Sequence, residues 1–348
     1  MRVHAERVLR FAQDDILPVS NDKPLPLPQL TDDRILRVVT GVRPVRRGSV
    51  RVEKVLAGNA TIVHNYGHGG AGVTLSWGSA EEAVTLIEDL PPSPVAVIGA
   101  GVVGLATTAV LQERGHAVHL YARDFSPNTT SDIAGAEWSP EAVAHGSTHS
   151  ERERFSRMLR RSWLRFETLE GQSWGVTRRP AYAAEGVELG LEHLPSGLAP
   201  RTEKLDAFPF EQDLGGGRLY QTFLIEPPIY MPRLFDLVVR GGAIVTERAF
   251  DNPEELLSLD ENIIFNCTGL GGRTLFGDQT VDAVRGHLVH FMPDPISCLF
   301  NFAGGYIFPR TDVTVVGTSF ETEFHGAGPD PAVAAEVVAR ARRFLKQV

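Results

Sequence analysis

Gly99, Gly101 and Gly104 carry the most specific chemistry in this chain. They form G-x-G-x-x-G inside PVAVIGAGVVGLATTAVLQERGHAVHLYA, residues 94–122. Val95–Ile98 is a short apolar run of the buried-strand type. Leu105–Glu113 reads as helix, Gly115 ends it, and Ala117–Tyr121 reads as the next strand. In that setting the first glycine permits a sharp turn and the second lets backbone approach a pyrophosphate. The third lets the helix pack on the strand. The reading is a dinucleotide cradle; the bland alternative is a glycine-rich packing turn.

Further groups could serve the same ligand. The second strand ends in Arg123 and Asp124. Arg123 suits a phosphate or an adenine face, or is a solvated loop charge. Thr129, Thr130 and Ser131 place three hydroxyls where a diphosphate or ribitol chain would lie, or make an ordinary polar turn. A second glycine-rich turn, HNYGHGGAGVT (64–74), opens onto another helix. One dinucleotide needs one such turn, so a second suggests another electron-rich group. A helix N-terminus there, with Thr74, suits the negative ring of a reduced flavin.

The rest of the chain must position these groups. A length of 348 residues permits one large or two medium domains. A net charge of −9 argues against a nucleic-acid surface. No run is long and apolar enough to span a bilayer, and residues 1–20 lack the core of a signal peptide. Cys267 and Cys298 are too few for a disulfide framework or a metal cage, so a reducing, cytoplasmic setting and no metal are expected. Residues 3–16 read as helix and Pro18–Pro28 as an extended linker. Strands are expected at Ile35–Thr40, Ala60–His64, Ala243–Glu247 and Ile263–Cys267, and in three runs within 284–320. Helices are expected at Ser79–Leu90, 149–170, Pro232–Arg240, Glu254–Leu259 and Pro331–Leu345. Residues 172–232 show no clear period.

The motifs VIGAGVVGL, YARDFSPNTTSDIAGAEW, NCTG (266–269), VRGH (284–287) and GYIFPR (305–310) resemble those of the D-amino-acid oxidases, which are FAD-dependent flavoproteins. So do GVRPVRRGSVRVE (41–53) and HNYGHGGAGVTLSWGSAEEA. The likeness spans about 35–321, but the order differs. In that family the GxRP and HNYGHGG segments close the chain, whereas here they come first, as in a circular permutation. The resemblance implies an α/β fold, circularly permuted, with a Rossmann-like FAD-binding domain and a mixed, mainly antiparallel β-sheet substrate domain. The FAD-binding domain is expected over 59–142 and 233–278. The substrate domain is expected over 31–58, 143–232 and 279–330, with 1–30 and 331–348 as terminal pieces.

The resemblance also assigns roles. Arg43 would clamp the substrate carboxylate, which a planar guanidinium suits. Tyr306 would donate to the same carboxylate, and the Gly70 carbonyl would take the amine. FAD would contact Gly99, Gly101, Val102, Val103, Gly104, Arg123, Asp124, Thr129, Thr130 and Ser131. It would also meet Ala136, Trp138, Ala249, Thr268 and Gly269, and Gly69, Ala71, Gly72, Val73 and Thr74, with Thr74 facing the flavin C2 carbonyl. Arg46, Arg47 and Arg51 read instead as salt-bridge residues. Phe302, Glu137 and Ser139 would line the substrate pocket. Phe302 lacks the hydroxyl of the animal enzymes. Glu137 would select a basic side chain, or face solvent, or pair with a local Arg. Glu321 would disfavour an acidic substrate.

The implied reaction is oxidative deamination of a D-amino acid, with hydride passing from Cα to flavin N5. The products would be a 2-oxo acid, ammonia and, with molecular oxygen, hydrogen peroxide. The alternatives are an FAD oxidase of another amine or imino acid (glycine- or sarcosine-like), a nicotinamide-dependent dehydrogenase, or a flavin-binding relative without turnover. A homodimer is left open.

Overall fold

The computed structural model describes residues 24–135, 137–171, 173–190, 194, 202–326 and 328–347. The helix expected over 3–16 and Ala136 lie outside the described residues. The chain begins with β1 (Ile35–Arg46), β2 (Arg51–Ala57), β3 (Ala60–Tyr66), α1 (Gly72–Thr85), β4 (Val95–Ile98), α2 (Val102–Glu113) and β5 (Val118–Ala122). It continues with α3 (His149–Leu169), β6 (Val176–Ala184), β7 (Glu203–Leu205), β8 (Gly217–Ile225), α4 (Pro227–Arg240), β9 (Ile244–Glu247) and α5 (Pro253–Leu257). Then come β10 (Ile263–Asn266), α6 (Gly271–Phe276), β11 (Val281–Phe291), β12 (Leu299–Phe302), β13 (Gly305–Pro309), β14 (Thr314–Gly317) and α7 (Pro331–Leu345).

Two sheets organise these elements. The first has the order β2-β3-β10-β4-β5-β9, parallel except for the β2–β3 hairpin. β4, VAVI, is buried along its whole length at the centre, as an apolar run in a parallel sheet must be. The second sheet has the order β1-β11-β14-β13-β12-β6-β8-β7, and only β12 and β6 run parallel in it. The two-sheet, mixed α/β expectation holds. The boundary expected at 58/59 does not follow the pairing, because β2 joins the first sheet through its hairpin with β3.

Helices α1 and α2 pack together, and α3 lies against α1. Gly78 lets α3 come close: a Cβ there would stand 1.8 Å from the Met158 carbonyl oxygen. α3 is highly charged, yet Phe155, Met158, Leu159, Ser162, Trp163 and Phe166 form one buried stripe at helical spacing. α1 begins at Gly72, seven residues earlier than its apolar face suggests, because the glycine turn ends there and Val73, Leu75 and Trp77 bury the first two turns. β12 and the strands β6 and β8 are not marked by period in the sequence. β12 is buried along its whole length and β8 along most of its, which erases alternation, and in β6 only Val176 and 181–183 are buried. Near the start of the described chain, Leu25 pairs with Pro209 and Phe210. Gln347 bonds both Leu30 N–H and the Pro28 carbonyl, so the extended segment before β1 lies against the end of α7.

Candidate functional site

A cavity of about 570 Å³ runs between the two sheets, a volume typical of cofactor and ligand sites. One end is made by the turn after β4. Gly99 has φ +108°, the left-handed side that favours glycine. A Cβ on Gly104 would lie 1.8 Å from the Gly99 carbonyl oxygen, so the third glycine sets the helix-on-strand contact and does not itself line the cavity. Val102 N–H, in the first turn of α2, donates to Ser131 Oγ at 3.0 Å. Thr129 bonds Asp132 in a capping box. Two of the three hydroxyls expected to face a ligand are therefore engaged within the protein, Thr129 on the Asp132 carboxylate and Ser131 on Val102 N–H, although Thr129, Thr130 and Ser131 all line the cavity. Arg123 and Asp124 stand at its rim and pair with each other at 2.7 Å. Ala249, Thr268 and Gly269 complete this end.

The second glycine turn forms the middle. Gly69 N–H donates to the Pro44 carbonyl at 2.9 Å, and Gly70 N–H to the Ala142 carbonyl at 3.0 Å. A Cβ on Gly69, whose φ is +55°, would lie 2.0 Å from that Ala142 oxygen. The turn is thus held between β1 and the loop after Pro140. His68 bonds Ser79 Oγ on α1 at 2.9 Å, and burial drops its pKa to about 3, so it is a neutral structural group. Gly72, Val73 and Thr74 carry the first N–H groups of α1, which lack helical acceptors. Thr74 lines the cavity; its hydroxyl donates to the Ser139 carbonyl and accepts from Ser139 N–H, so the group it offers a ligand is its main chain. Ala71 is fully buried and lies behind the lining.

The far end is built by side chains from β1, β13 and the segment after β14. Arg43 on β1 donates to the Ser319 carbonyl at 3.1 Å and to Thr318 Oγ1 at 2.6 Å. Its guanidinium carbon lies 4.7 Å from the centre of the Phe320 ring. Gly286 makes room for it: a Cβ there would be 2.4 Å from Nη1. Burial lowers the Arg43 pKa, and the nearby Tyr306 and Glu141 oppose that fall. Arginine remains charged under such a shift. The Tyr306 ring stacks on Phe308 at 4.2 Å and fits between two glycines, Gly135 and Gly317. Burial raises its pKa, against the pull of Arg43, so its hydroxyl stays protonated at neutral pH.

Glu137 is neither solvent-facing nor paired with an arginine. It is buried, accepts from Tyr220 OH at 2.6 Å and from Asn301 Nδ2 at 3.0 Å, and lines the cavity. Burial first, and the charge of Glu141 second, push its pKa up to about 8. Ser139 lines the cavity, with its hydroxyl on the Leu189 carbonyl. Trp138 does not: its ring is buried edge-on against Trp163 at 4.8 Å, on the other side of the extended chain. Phe302 lines a neighbouring cavity and stacks on Phe344. Arg46, Arg47 and Arg51 bond Asp278, Asp282 and Glu53, as salt-bridge residues should. Glu321 is engaged by Arg285 at 2.6 Å and lies outside the cavity lining.

Several lining residues are not singled out in the sequence: Glu141, Thr318 and Phe320, with Gly135 and Gly286. One signal could have found Glu141. Glu137, Ser139 and Glu141 alternate at period two, which puts their side chains on one side of an extended chain, and all three line the cavity.

This donor set fits a flavin dinucleotide. Glycine-lined backbone and the N-terminus of α2 suit the pyrophosphate, and the N-terminus of α1 suits an electron-rich ring edge. Comparison with known proteins agrees. A D-amino-acid oxidase of Streptomyces coelicolor is 31% identical over 276 residues, covering 76% of this chain and 81% of that protein. Human D-aspartate oxidase is 27% identical over 262 residues, covering 71% and 74%. Among solved structures, a glycine oxidase from Bacillus cereus superposes with a TM-score of 0.55 at 17% identity, over 73% of this chain and 79% of that one. An L-proline dehydrogenase from P. horikoshii gives 0.52 at 13% identity, over 74% and 78%. These two likenesses show the shared fold. Among the described residues no helix is long and apolar enough to cross a membrane, and no metal-binding cluster is present. The family model for FAD-dependent oxidoreductases, DAO, matches residues 94–348, and the chain belongs to that family of FAD-dependent enzymes.

Proposed function

We propose that the protein oxidises a free D-amino acid, with Arg43 and Tyr306 holding the substrate carboxylate and the Gly70 carbonyl holding the amine. The observation that carries this reading is the convergence of Arg43, Tyr306 and the 67–70 turn at one end of the cavity. The Streptomyces relative, named as a D-amino-acid oxidase, supports the substrate class. Arg43 has five N–H donors, more than its two contacts with Ser319 and Thr318 use. Those contacts fix the plane of the fork, so a carboxylate meets it without loss of rotamer freedom. The protonated Tyr306 hydroxyl adds a third donor. Together these groups hold the substrate Cα at one distance and one face relative to the glycine cradle. Orientation of this kind is the residues' main contribution to rate. FAD, when bound, supplies the two-electron acceptor.

Two electrons and two protons leave the C–H and N–H of the substrate. The resulting imino acid takes up water and gives a 2-oxo acid and ammonia, and dioxygen is reduced to hydrogen peroxide. Arg43→Ala is expected to cut kcat/KM by about 10³-fold, chiefly through KM, since it removes a bidentate charged contact. Steady-state kinetics with a panel of paired D- and L-amino acids checks this. Wild-type kinetics in that variant would overturn the assignment. The same panel, extended to glycine, sarcosine and imino acids, separates the neighbouring reading of an oxidase for another amine acid.

We also propose that the chain is a circular permutation of its relatives. The family model begins at residue 94, while β1, β2, β3 and α1 all precede it and complete both sheets and the cavity. The segment before β1 lies against the end of α7, so the join a permutation requires is short. A chain rebuilt with 94–348 first and 24–90 last is expected to fold and bind FAD. A rebuilt chain that stays unfolded would contradict the permutation.

A further inference from the structure

A second cavity of about 260 Å³ adjoins the Arg43 end of the first. The two share Glu141, Tyr306, Thr318 and Phe320, so the side cavity leads away from the point where the proposed carboxylate and amine groups sit. Phe302 and the 303–305 turn make its wall. Its lining holds two acids, Glu141 and the exposed Glu188, and no Lys or Arg. Two arginines lie near it, but both are turned to backbone: Arg340 donates to the Gly304 and Thr318 carbonyls, and Arg218 to the Val187 carbonyl.

The two glutamates at the junction differ. Glu137 is buried with a donor on each oxygen. Glu141 is partly buried and has no hydrogen-bond donor among the described residues; Arg43 acts on it through space only. A partly buried carboxylate without a donor is costly unless something else supplies one. Burial pushes the Glu137 carboxyl up to about 8, with Glu141 adding to the rise; burial also raises Glu141, but there the Arg43 guanidinium pulls the other way. A substrate carboxylate docked on Arg43 would bring a further negative charge to this end.

We propose that the side cavity takes a substrate side chain ending in a cation, a guanidinium or an ammonium, and that Glu141 is the residue that selects it. This rests on the amino-acid reading above and names its substrate class. A charged donor on the side chain completes Glu141 and offsets the carboxylate held by Arg43. An acidic side chain would meet the same group as a repulsion.

The test uses the holoenzyme and two substrates of equal length, D-arginine and D-citrulline, which differ by one charge. The expected kcat/KM ratio is about 30-fold in favour of D-arginine, the scale of one charge-assisted hydrogen-bonded pair. In Glu141→Gln the ratio should fall to about one, whereas in Glu137→Gln it should persist. A readout without turnover is calorimetric binding of 4-guanidinobutyrate against hexanoate. The guanidino compound should bind about 10-fold tighter to wild type and lose that margin in Glu141→Gln. Equal treatment of D-arginine and D-citrulline by an enzyme that oxidises D-methionine would overturn this inference and leave the amino-acid reading standing. An equal loss on both substrates in Glu141→Gln would also overturn it, by assigning Glu141 to the α-amine. Failure to oxidise any D-amino acid would overturn the amino-acid reading, and this inference with it.

Discussion

The two ends of the cavity are built on different principles. The dinucleotide end is mostly backbone: a left-handed glycine at Gly99 and a helix N-terminus at Val102, whose N–H donates to the Ser131 hydroxyl. Most of its parts lie within one βαβ unit and the loop that follows it, with Ala249, Thr268 and Gly269 joining from further along the chain. The far end, where we propose the substrate binds, is side chain: Arg43, Tyr306 and Glu141 reach it from three remote segments, and Arg43 is fixed by Ser319, 276 positions away. Backbone geometry tolerates little change but carries little selectivity. Side chains tolerate change in fold terms and decide which ligand is accepted.

This contrast can be broken most severely at Gly104. A methyl group there would meet the Gly99 carbonyl at 1.8 Å, and neither backbone can give way without moving α2 off β4. Gly104→Ala is expected to lose cofactor binding and to cost at least the ~1–3 kcal/mol of an overpacked core. Absorbance of the purified protein and its thermal midpoint check this, and a yellow variant with an unchanged midpoint would contradict it. The substrate end should respond more gently to Tyr306→Phe. The ring keeps its slot between Gly135 and Gly317, and only one hydroxyl donor is lost. A fall of about 10-fold in kcat/KM, with normal flavin absorbance, is the expected result.

A subtler effect lies at Glu137. Its pKa rises from 4.5 in the unfolded chain to about 8 in the fold, first through burial and then through Glu141. A carboxyl raised on folding contributes stability that is fully present below about 4.5 and is lost as pH rises through 8. Thermal midpoints of wild type should therefore decline across that window, and Glu137→Gln should flatten the decline. Parallel slopes in the two proteins would show that Glu137 is not the group responsible.

The parts read correctly from sequence share a property: each is specified by neighbours in the chain. β4, the glycine turn and α2 follow from local pattern, and so do α3, with its capping box at Thr148 and Glu151, and α7, with Asp330 as cap. The parts missed depend on partners far away. α1 starts at Gly72 because the turn before it is clamped by Pro44 and Ala142, which no local pattern reports. Trp138 turns into the core beside Trp163, although it sits within a motif that suggested cofactor contacts.

The sequence by itself determined a dinucleotide cradle and a mixed α/β architecture, because glycine spacing and apolar runs have consequences that hold in any context. Tertiary structure alone decided which of the two carboxylates near Arg43 is fully buried with donors on both oxygens and which lines both cavities without one. Glu137 and Glu141 are the same residue type four positions apart, yet burial pushes the Glu137 carboxyl up against the opposing hydrogen bonds of Tyr220 and Asn301, while Arg43 opposes the rise at Glu141. Burial and hydrogen-bond partners set the state of an acid, and both are properties of the folded neighbourhood.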